Sequence, residues 1–411
     1  MKRAFQKLKN IYHLLVAVVA NVYYGFPSRS IKVIGITGTD GKTTTSALLH
    51  HILSMSGKKS SVLTTVSAKI GKETFDTGFH VTTPNSIQVQ RFLRKAVDAG
   101  DEYFIMETTS HALDQNRVFG VKYLYGVVTN VSHEHLQYHV TMKDYLLTKC
   151  KLLNQSETAL INADDDSFEA LKSHINSGKK VLTYGLINKA DYNLDVSTVL
   201  DFPIAKFNKY NFLAAYAVAI KLGLYRNEIF SAMKSFKMPE GRMEIVYSKK
   251  FSVIVDFAHT PASIREALTA VREMYEGGGR LIHVFSAAAF RDDSKRPIMG
   301  RESGKVADLV ILTEEDYRTE DPVKIAQSIA VGLEEEGFKS VNANSFGDKN
   351  NKYTIIIDRY EAIKKAISIA KPKDVILLTG KGHERSLNRN GKEHLWSEVS
   401  NVKNIIMLSD V

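Results

Sequence analysis

The stretch 35-GITGTDGKTTT-45 constrains this 411-residue chain more than any other. It follows an apolar run, residues 31–37, that reads as a buried strand. It precedes residues 42–55, where Leu48, Leu49, Ile52 and Leu53 form a helical stripe. Strand, glycine-rich loop and helix in that order form a phosphate cradle: backbone N–H groups at the turn and helix N-terminus face anionic oxygens. Gly38, Thr39, Asp40, Gly41, Lys42, Thr43 and Thr44 are therefore candidate nucleotide-binding residues. Lys42 is expected to reach the β/γ-phosphates of ATP, and Thr43 to offer its hydroxyl to Mg²⁺. The loop departs from the G-x-x-x-x-G-K-[ST] template at one place, where Ile36 stands for glycine.

Further apolar runs, SSVLTT, YFIMET, YGVVTN and TALINA, alternate with helical segments. This alternation predicts a mostly parallel sheet covered by helices on both faces. A second α/β unit begins near Pro239-Glu240-Gly241, with strands predicted at FSVIVDF, RLIHVFS, ADLVILT and DVILLTG. The predicted fold is α/β: an N-terminal helix (1–29), a central P-loop ATP-binding domain (30–238) and a C-terminal Rossmann-like domain (239–411). The polar segment 337–352 reads as a surface loop.

The net charge of +10 favours anionic partners such as nucleotides or a membrane surface. Arginine–aromatic interleaving and zinc-finger spacings are absent from the sequence, so no nucleic-acid partner is expected. The single cysteine, Cys150, allows no internal disulfide and fits a reducing compartment. At the N-terminus, Phe5, Leu8, Tyr12, Leu15 and Val19 recur at helical spacing among Lys2, Lys7 and Lys9. That pattern serves a helix packed on the body, a helix lying on a membrane or a secretory signal, and the apolar run is too short to span a bilayer.

Glu107 ends an apolar strand, where α/β sheets bind ligands, and a carboxylate there suits either Mg²⁺ or a helix cap. His133, His135 and His139 lack the cysteine or carboxylate that would complete a structural zinc set, and read as hydrogen-bonded surface groups. Leu146, Leu147, Cys150 and Leu153 form a core stripe. By pattern alone, Lys149 is a helix-surface lysine and Asn208 and Asn211 are helix caps.

Taken in order, GITGTDGKTTT, ETTSHALDQNRV, TNVSHEHLQYH, MKDYLLTKCKLL, FNKYN, PEGRMEIV, VDFAHTP, FRDDSKRPIMG and LTGKGHE resemble the Mur ligases of peptidoglycan synthesis, in particular the MurE type. The resemblance implies an ATP-dependent amide-bond ligase with two Mg²⁺ ions. It assigns Lys42 to the phosphates, Thr43 and Glu107 to the first metal, and His135 to the neighbourhood of the second. Lys149 matches a lysine carbamylated by CO₂, whose amine would first have to be neutral and so lie below the ordinary value of about 10.4. Asn208, Asn211, Arg242, Asp256 and His259 match the nucleotide side. Thr82, Thr83, Ser110, Gln115 and Arg117 match the acceptor side. Arg291, Asp316, Arg318, Gly380 and Glu384 match the pocket for the incoming amino acid. Arginine pairs bidentately with a distal carboxylate, so Arg318 points to diaminopimelate rather than lysine. The implied partners are small-molecule substrates (ATP, a muramoyl-peptide acceptor and an amino acid) for a cytoplasmic monomer, with peripheral membrane contact through residues 1–28.

Three departures qualify the match. Glu315-Asp316-Tyr317-Arg318 stands for D-N-P-R, so Asp316 adds a negative charge that favours an amine. Residues 286–290 replace a G-C-G-G run, so that loop is expected to approach its neighbours differently. MurE proteins carry a uridine-binding domain before the loop, whereas about thirty residues precede it here. The acceptor is therefore expected to be held by Thr82, Thr83 and Arg117 alone, or to be a different, lipid-linked one. Folylpolyglutamate-type and cyanophycin-type ligases share the loop, and a nucleotide-binding scaffold without catalysis is the reading from another class.

Overall fold

The alternating apolar runs form two sheets, one in each of two compact units, Met1–Lys237 and Met238–Val411. The computed structural model describes residues 2–75, 82–132, 136–139, 141–202, 204–290, 292–347 and 350–408.

In the first unit, helix α1 (Lys2–Tyr23) precedes strand β1 (Lys32–Thr37) and helix α2 (Lys42–Met55). Strands β2 (Ser60–Leu63), β3 (Ala68–Ile70) and β4 (Glu73–Phe75) follow, then α3 (Ser86–Asp98), β5 (Tyr103–Glu107), α4 (Ser110–Asp114) and β6 (Tyr123–Val128). After α5 (Leu136–His139) and α6 (Met142–Gln155) come β7 (Ser156–Asn162), α7 (Phe168–Ser173), β8 (Lys180–Gly185), β9 (Tyr192–Asn193), α8 (Lys206–Lys221) and α9 (Arg226–Ser235). The strands order as β4-β3-β2-β5-β1-β6-β7-β8-β9. All neighbours are parallel except β2/β3 and β3/β4. β5 is buried at every residue and β1 at all but Lys32, as a sheet covered by helices on both faces requires. Val33, Phe104, Met106 and Tyr123 pack with Phe92, Leu93 and Leu152 on one side. Ile34, Ile36 and Ile105, of opposite parity, are buried on the other.

The second unit runs β10 (Glu244–Ser248), β11 (Ser252–Val255), α10 (Pro261–Met274), β12 (Leu281–Phe285), α11 (Lys295–Gly304), β13 (Leu309–Leu312), α12 (Pro322–Glu335), β14 (Lys339–Ser340), β15 (Lys352–Ile355), α13 (Arg359–Ser368), β16 (Val375–Leu378), the hairpin β17 (Ser386–Arg389) and β18 (Lys392–Leu395), and α14 (Glu398–Leu408). Its sheet order is β10-β11-β16-β12-β13-β15-β14, parallel except at β10/β11. A fully buried ion pair joins the first residues of α13 and α14. Arg359 donates to both Glu398 oxygens and to the carbonyls of Glu314 and Thr379. Through these bonds the pair fixes geometry at a desolvation cost that they offset.

One expectation is corrected here, and one left open is narrowed. Segment 337–352 is not simply a surface loop: Lys339 and Ser340 pair with Lys352 and Tyr353, and Phe346 is buried in the core beside Ile363 and Ile367. Of the three readings left open for the N-terminal pattern, a helix packed on the body is met by another face: Ala17 and Ala20 are buried, whereas Tyr12, Leu15 and Val19 are exposed. The side chains of Phe5 and Leu8 lie outside the described residues.

Candidate active site

Four neighbouring strands, β2, β5, β1 and β6, bring the predicted residues of the first unit together at their C-terminal ends. Residues far apart in sequence meet because parallel strands end on the same side, and that edge is where such sheets bind ligands.

The loop after β1 is held in shape by residues from β6 and α6. The Asn130 side chain accepts from the N–H groups of Thr39 (3.1 Å) and Asp40 (2.9 Å). The Thr129 hydroxyl donates to the Asp40 carbonyl at 2.6 Å, and the Thr39 hydroxyl meets the Tyr145 hydroxyl at 3.2 Å. Gly41 caps α2 with φ +79, and Asn211, bonded to Asn208 at 2.9 Å, fills the space where a Cβ at Gly41 would lie. Both asparagines are buried in α8 and shape the loop rather than cap a helix. Lys42 folds back onto the carbonyls of Gly38 (3.0 Å) and Thr39 (2.6 Å), a conformation that leaves its ammonium at the mouth of the cradle. Thr44 is buried in the first turn of α2.

Glu107 is buried among hydroxyls. Thr43 donates to it at 2.9 Å, and Thr65, just past β2, donates through both its hydroxyl and its N–H at 3.0 Å. The set Thr43, Thr65 and Glu107 offers only oxygen atoms, one of them anionic, which fits a hard divalent cation such as Mg²⁺ and not a soft one.

Four of the five predicted acceptor residues, Thr82, Thr83, Gln115 and Arg117, connect to Glu107 through hydrogen bonds. The Thr65 hydroxyl, its proton directed at Glu107, meets the Thr82 hydroxyl, and the Thr83 hydroxyl donates to the Glu107 backbone carbonyl, each at 3.0 Å. Arg117 donates to the Thr83 carbonyl (3.0 Å) and to Gln115 (2.9 Å), and Gln115 donates to the Tyr138 hydroxyl (3.1 Å). Ser110 meets His139 Nε2 at 3.0 Å. His139 is buried, correcting the surface reading. Burial, then the neighbouring His111, pushes its pKa down to about 4, so it is a neutral hydrogen-bonding ring at physiological pH. Burial likewise raises the Tyr138 phenol to about 12, keeping it a donor to Asp114 at 2.8 Å.

Lys149 is the largest revision of the local reading. It sits on α6 with only 1% exposure, its Nζ 4.3 Å from the centre of the Tyr145 ring. Tyr145 thus bridges Lys149 to the phosphate loop through Thr39, and its ring also contacts His139. Leu146, Cys150 and Leu153 form core as expected, while Leu147 is only partly buried. His133 and His135 fall outside the described residues.

In the second unit the remaining residues form two groups. Arg242 lies 4.7 Å over the Phe257 ring, which also contacts His259 and His383. Asp256 accepts from the Met243 and Ala258 N–H groups at 2.8 Å. In the other group the fully buried Lys381 donates to Asp316 at 2.9 Å and to Glu384. Burial alone would lower the Lys381 pKa, but these two carboxylates hold it above the ordinary lysine value. The extra charge of Asp316 is thereby compensated inside the protein. Glu315, buried against Gly380, is pushed up to about 7 by desolvation, opposed by Lys381 and Arg359. Arg318 is half-buried at φ +52, its N–H donating to the Asn388 carbonyl at 3.0 Å. In the 286–290 loop, Phe290 adopts φ +53, and the Ala289 N–H donates to the Asp316 carbonyl at 2.9 Å. Arg291 lies outside the described residues. Arg242 Nε, Glu315 Oε2 and His383 Nδ1 are buried with no hydrogen-bond partner among the described residues, which marks places where a ligand or water completes the bonding.

Sequence reasoning missed Thr65, Asn130, Tyr145 and Lys381. Tyr145 alone carried a local signal, lying one helical turn before Lys149. The others depend on strand order or on partners distant in sequence.

Comparison with known proteins places these features in context. Residues 36–219 match the Mur ligase middle domain, and residues 241–382 match the Mur ligase glutamate ligase domain. The UDP-N-acetylmuramoyl-L-alanyl-D-glutamate–2,6-diaminopimelate ligase of Aquifex aeolicus is 37% identical over 94% of this chain and 80% of its own length. The protein of that name from Parabacteroides distasonis is 35% identical over 90% of this chain and 76% of its own. A solved structure bearing the same name superposes with a TM-score of 0.64 at 28% identity, covering 93% of this chain and 79% of that one.

Proposed function

The chain belongs to the Mur ligase family of ATP-dependent amide-bond ligases, and from that premise we propose that it joins diaminopimelate to a muramoyl-dipeptide acceptor in peptidoglycan precursor synthesis. The observation that carries the reading is the meeting of Thr43, Thr65 and Glu107 beside the Gly41–Lys42 turn, in one network with Thr83, Gln115 and Arg117.

In this reading the acceptor carboxylate attacks the γ-phosphorus of ATP. ADP leaves, and an acyl phosphate forms. The amino group of the incoming amino acid then attacks the acyl carbon, loses a proton and expels inorganic phosphate. Lys42 neutralises charge that grows on the phosphoryl oxygens, an interaction strongest in the transition state. Arg117 and Gln115, locked together by their hydrogen bond, orient the acceptor, and fixed orientation replaces the entropy of a chance encounter. Thr43 and Glu107 would hold one Mg²⁺. His135 and Lys149 would hold a second, Lys149 as a carbamate formed with CO₂. These ions would supply charge stabilisation for phosphoryl transfer. Burial of Lys149 supports the carbamate reading, because a carbamate there would be sequestered from bulk water.

For the amino acid, Arg318 is the discriminating group and Asp316 is not a free carboxylate, being held by Lys381. Phosphate release is to be measured with UDP-linked and lipid-linked muramoyl dipeptides, each paired with diaminopimelate, lysine and ornithine. Diaminopimelate is expected to be the preferred substrate. Arg318→Ala is expected to lower kcat/KM for it by about 10²-fold or more while changing that for lysine far less, because an unpaired distal carboxylate loses its bidentate partner. Equal losses for both amino acids would remove Arg318 from that role.

A further inference from the structure

The exposed face of α1 is inverted relative to a helix that folds by packing its apolar side. Its inner face is small and polar. Ala17 and Ala20 are buried, Asn21 donates to the Phe119 carbonyl at 2.8 Å, Asn10 donates to Asp114 at 3.2 Å, and Gln6 donates to Tyr138 at 2.8 Å. The aliphatic side chains point the other way. Ile11, Leu15, Val18, Val19, Val22 and Tyr23 follow the i, i+4, i+7, i+11 rhythm of one helical face and are between 43% and 80% exposed. Twelve helical rises from Ile11 to Tyr23 make this stripe about 18 Å long. Folding of the first unit accounts for the inner face and leaves the stripe unexplained, and contiguous exposed apolar surface marks an interaction site.

The charge of the segment identifies its partner. Residues 1–39 contain six Lys and Arg and no Asp or Glu, and four of the six (Lys2, Arg3, Lys7 and Lys9) belong to α1. No helix among the described residues is long and apolar enough to cross a membrane, so the stripe suits a surface and not a span.

We propose that α1 docks in the plane of an anionic phospholipid bilayer, its aliphatic stripe entering the interface and its cationic N-terminal turns meeting the headgroups. A second copy of the chain would cover the stripe but would bring an equally cationic N-terminal segment against it. The inner face of the same helix touches Asp114, and Asn116 donates to the Asn10 carbonyl at 3.3 Å. Docking therefore holds the segment that carries Gln115 and Arg117 within about one helix diameter, 10–12 Å, of the lipid surface. This goes beyond the ligase reading and does not depend on it.

Vesicle flotation of the full chain tests it. The protein is expected to float with phosphatidylcholine vesicles containing about one-third phosphatidylglycerol, with the bound fraction falling severalfold when the anionic lipid is omitted or NaCl is raised to about 0.5 M. Leu15→Glu combined with Val19→Glu is expected to reduce binding at least tenfold while leaving the melting temperature and ATP turnover with soluble substrates unchanged. Should that variant fold poorly, Val22→Asn, also exposed, replaces it, and the lipid and salt dependence of the wild type stands by itself. Three results overturn the proposal: no flotation of the wild type with anionic vesicles, flotation unaffected by the substitutions, or a wild-type dimer that the substitutions dissociate in the absence of vesicle binding.

Discussion

Replacing Lys149 by alanine is expected to lower ATP-dependent ligation by about 10²–10³-fold, the usual cost of removing one group that stabilises charge in a preorganised site. The side chain is buried against the Tyr145 ring, and Tyr145 reaches the phosphate loop through Thr39, so under the proposed mechanism its loss is expected to be felt at the γ-phosphate position. Lys149→Met keeps most of the buried bulk, and its activity is expected to fall as far as that of the alanine variant, because the lost property is chemical and not steric. The proposed carbamate makes a narrower prediction. Wild-type turnover is expected to decline when dissolved CO₂ is removed and to return with bicarbonate. A short carboxylic acid, able to occupy the space vacated in Lys149→Ala, is expected to restore part of the activity. A plain ammonium role would show none of this CO₂ dependence, and a Lys149→Ala enzyme within tenfold of wild type would remove the residue from the mechanism altogether.

The second large effect is expected at Gly41. Its φ of +79 is unfavourable for a residue with a Cβ, and an added methyl would overlap the Asn211 side chain, which its bond to Asn208 and its burial in α8 hold in place. Gly41→Ala is therefore expected to cost about 1–3 kcal/mol of stability and to shift the turn on which Lys42 and Thr43 depend. ATP-analogue affinity measured by calorimetry is expected to fall by at least tenfold. Gly57→Ala is the control: its φ is +72, but nothing lies within 4 Å of the added Cβ. It is expected to lower the melting temperature without changing nucleotide affinity. Equal losses of affinity in the two variants would mean that backbone strain alone, and not the Asn211 contact, governs the loop.

The fold was legible because both sheets are written in short apolar runs of β-forming residues separated by helical periodicity, and each predicted strand from KVIGIT to DVILLTG formed. The loop was legible because its chemistry is local: glycine, lysine and threonine within one turn. Lys149 was legible only by family resemblance. By pattern it read as a helix-surface lysine, whereas its burial comes from packing that no single segment reveals. Thr65 and Asn130 were hidden for a related reason. Each becomes part of the site because β2, β5, β1 and β6 lie side by side, and strand order is not encoded in any one segment. Asp316 was read as a free charge because Lys381, sixty-five positions away, could not be paired with it from sequence. The N-terminal pattern left a packed helix, a membrane-surface helix and a signal open, because periodicity does not say which face packs: the small and polar one does, and Tyr12, Leu15 and Val19 stay exposed.

The central claim is that the acceptor carboxylate is phosphorylated by ATP before the amine attacks. Ligation with an acceptor carrying ¹⁸O in that carboxylate tests it most directly, with mass spectrometry of the released phosphate as the readout. The account predicts one ¹⁸O atom transferred to each phosphate, release that requires both acceptor and amino acid, and loss of the reaction in Lys42→Ala. Phosphate free of ¹⁸O, formed alongside a new amide bond, would contradict it.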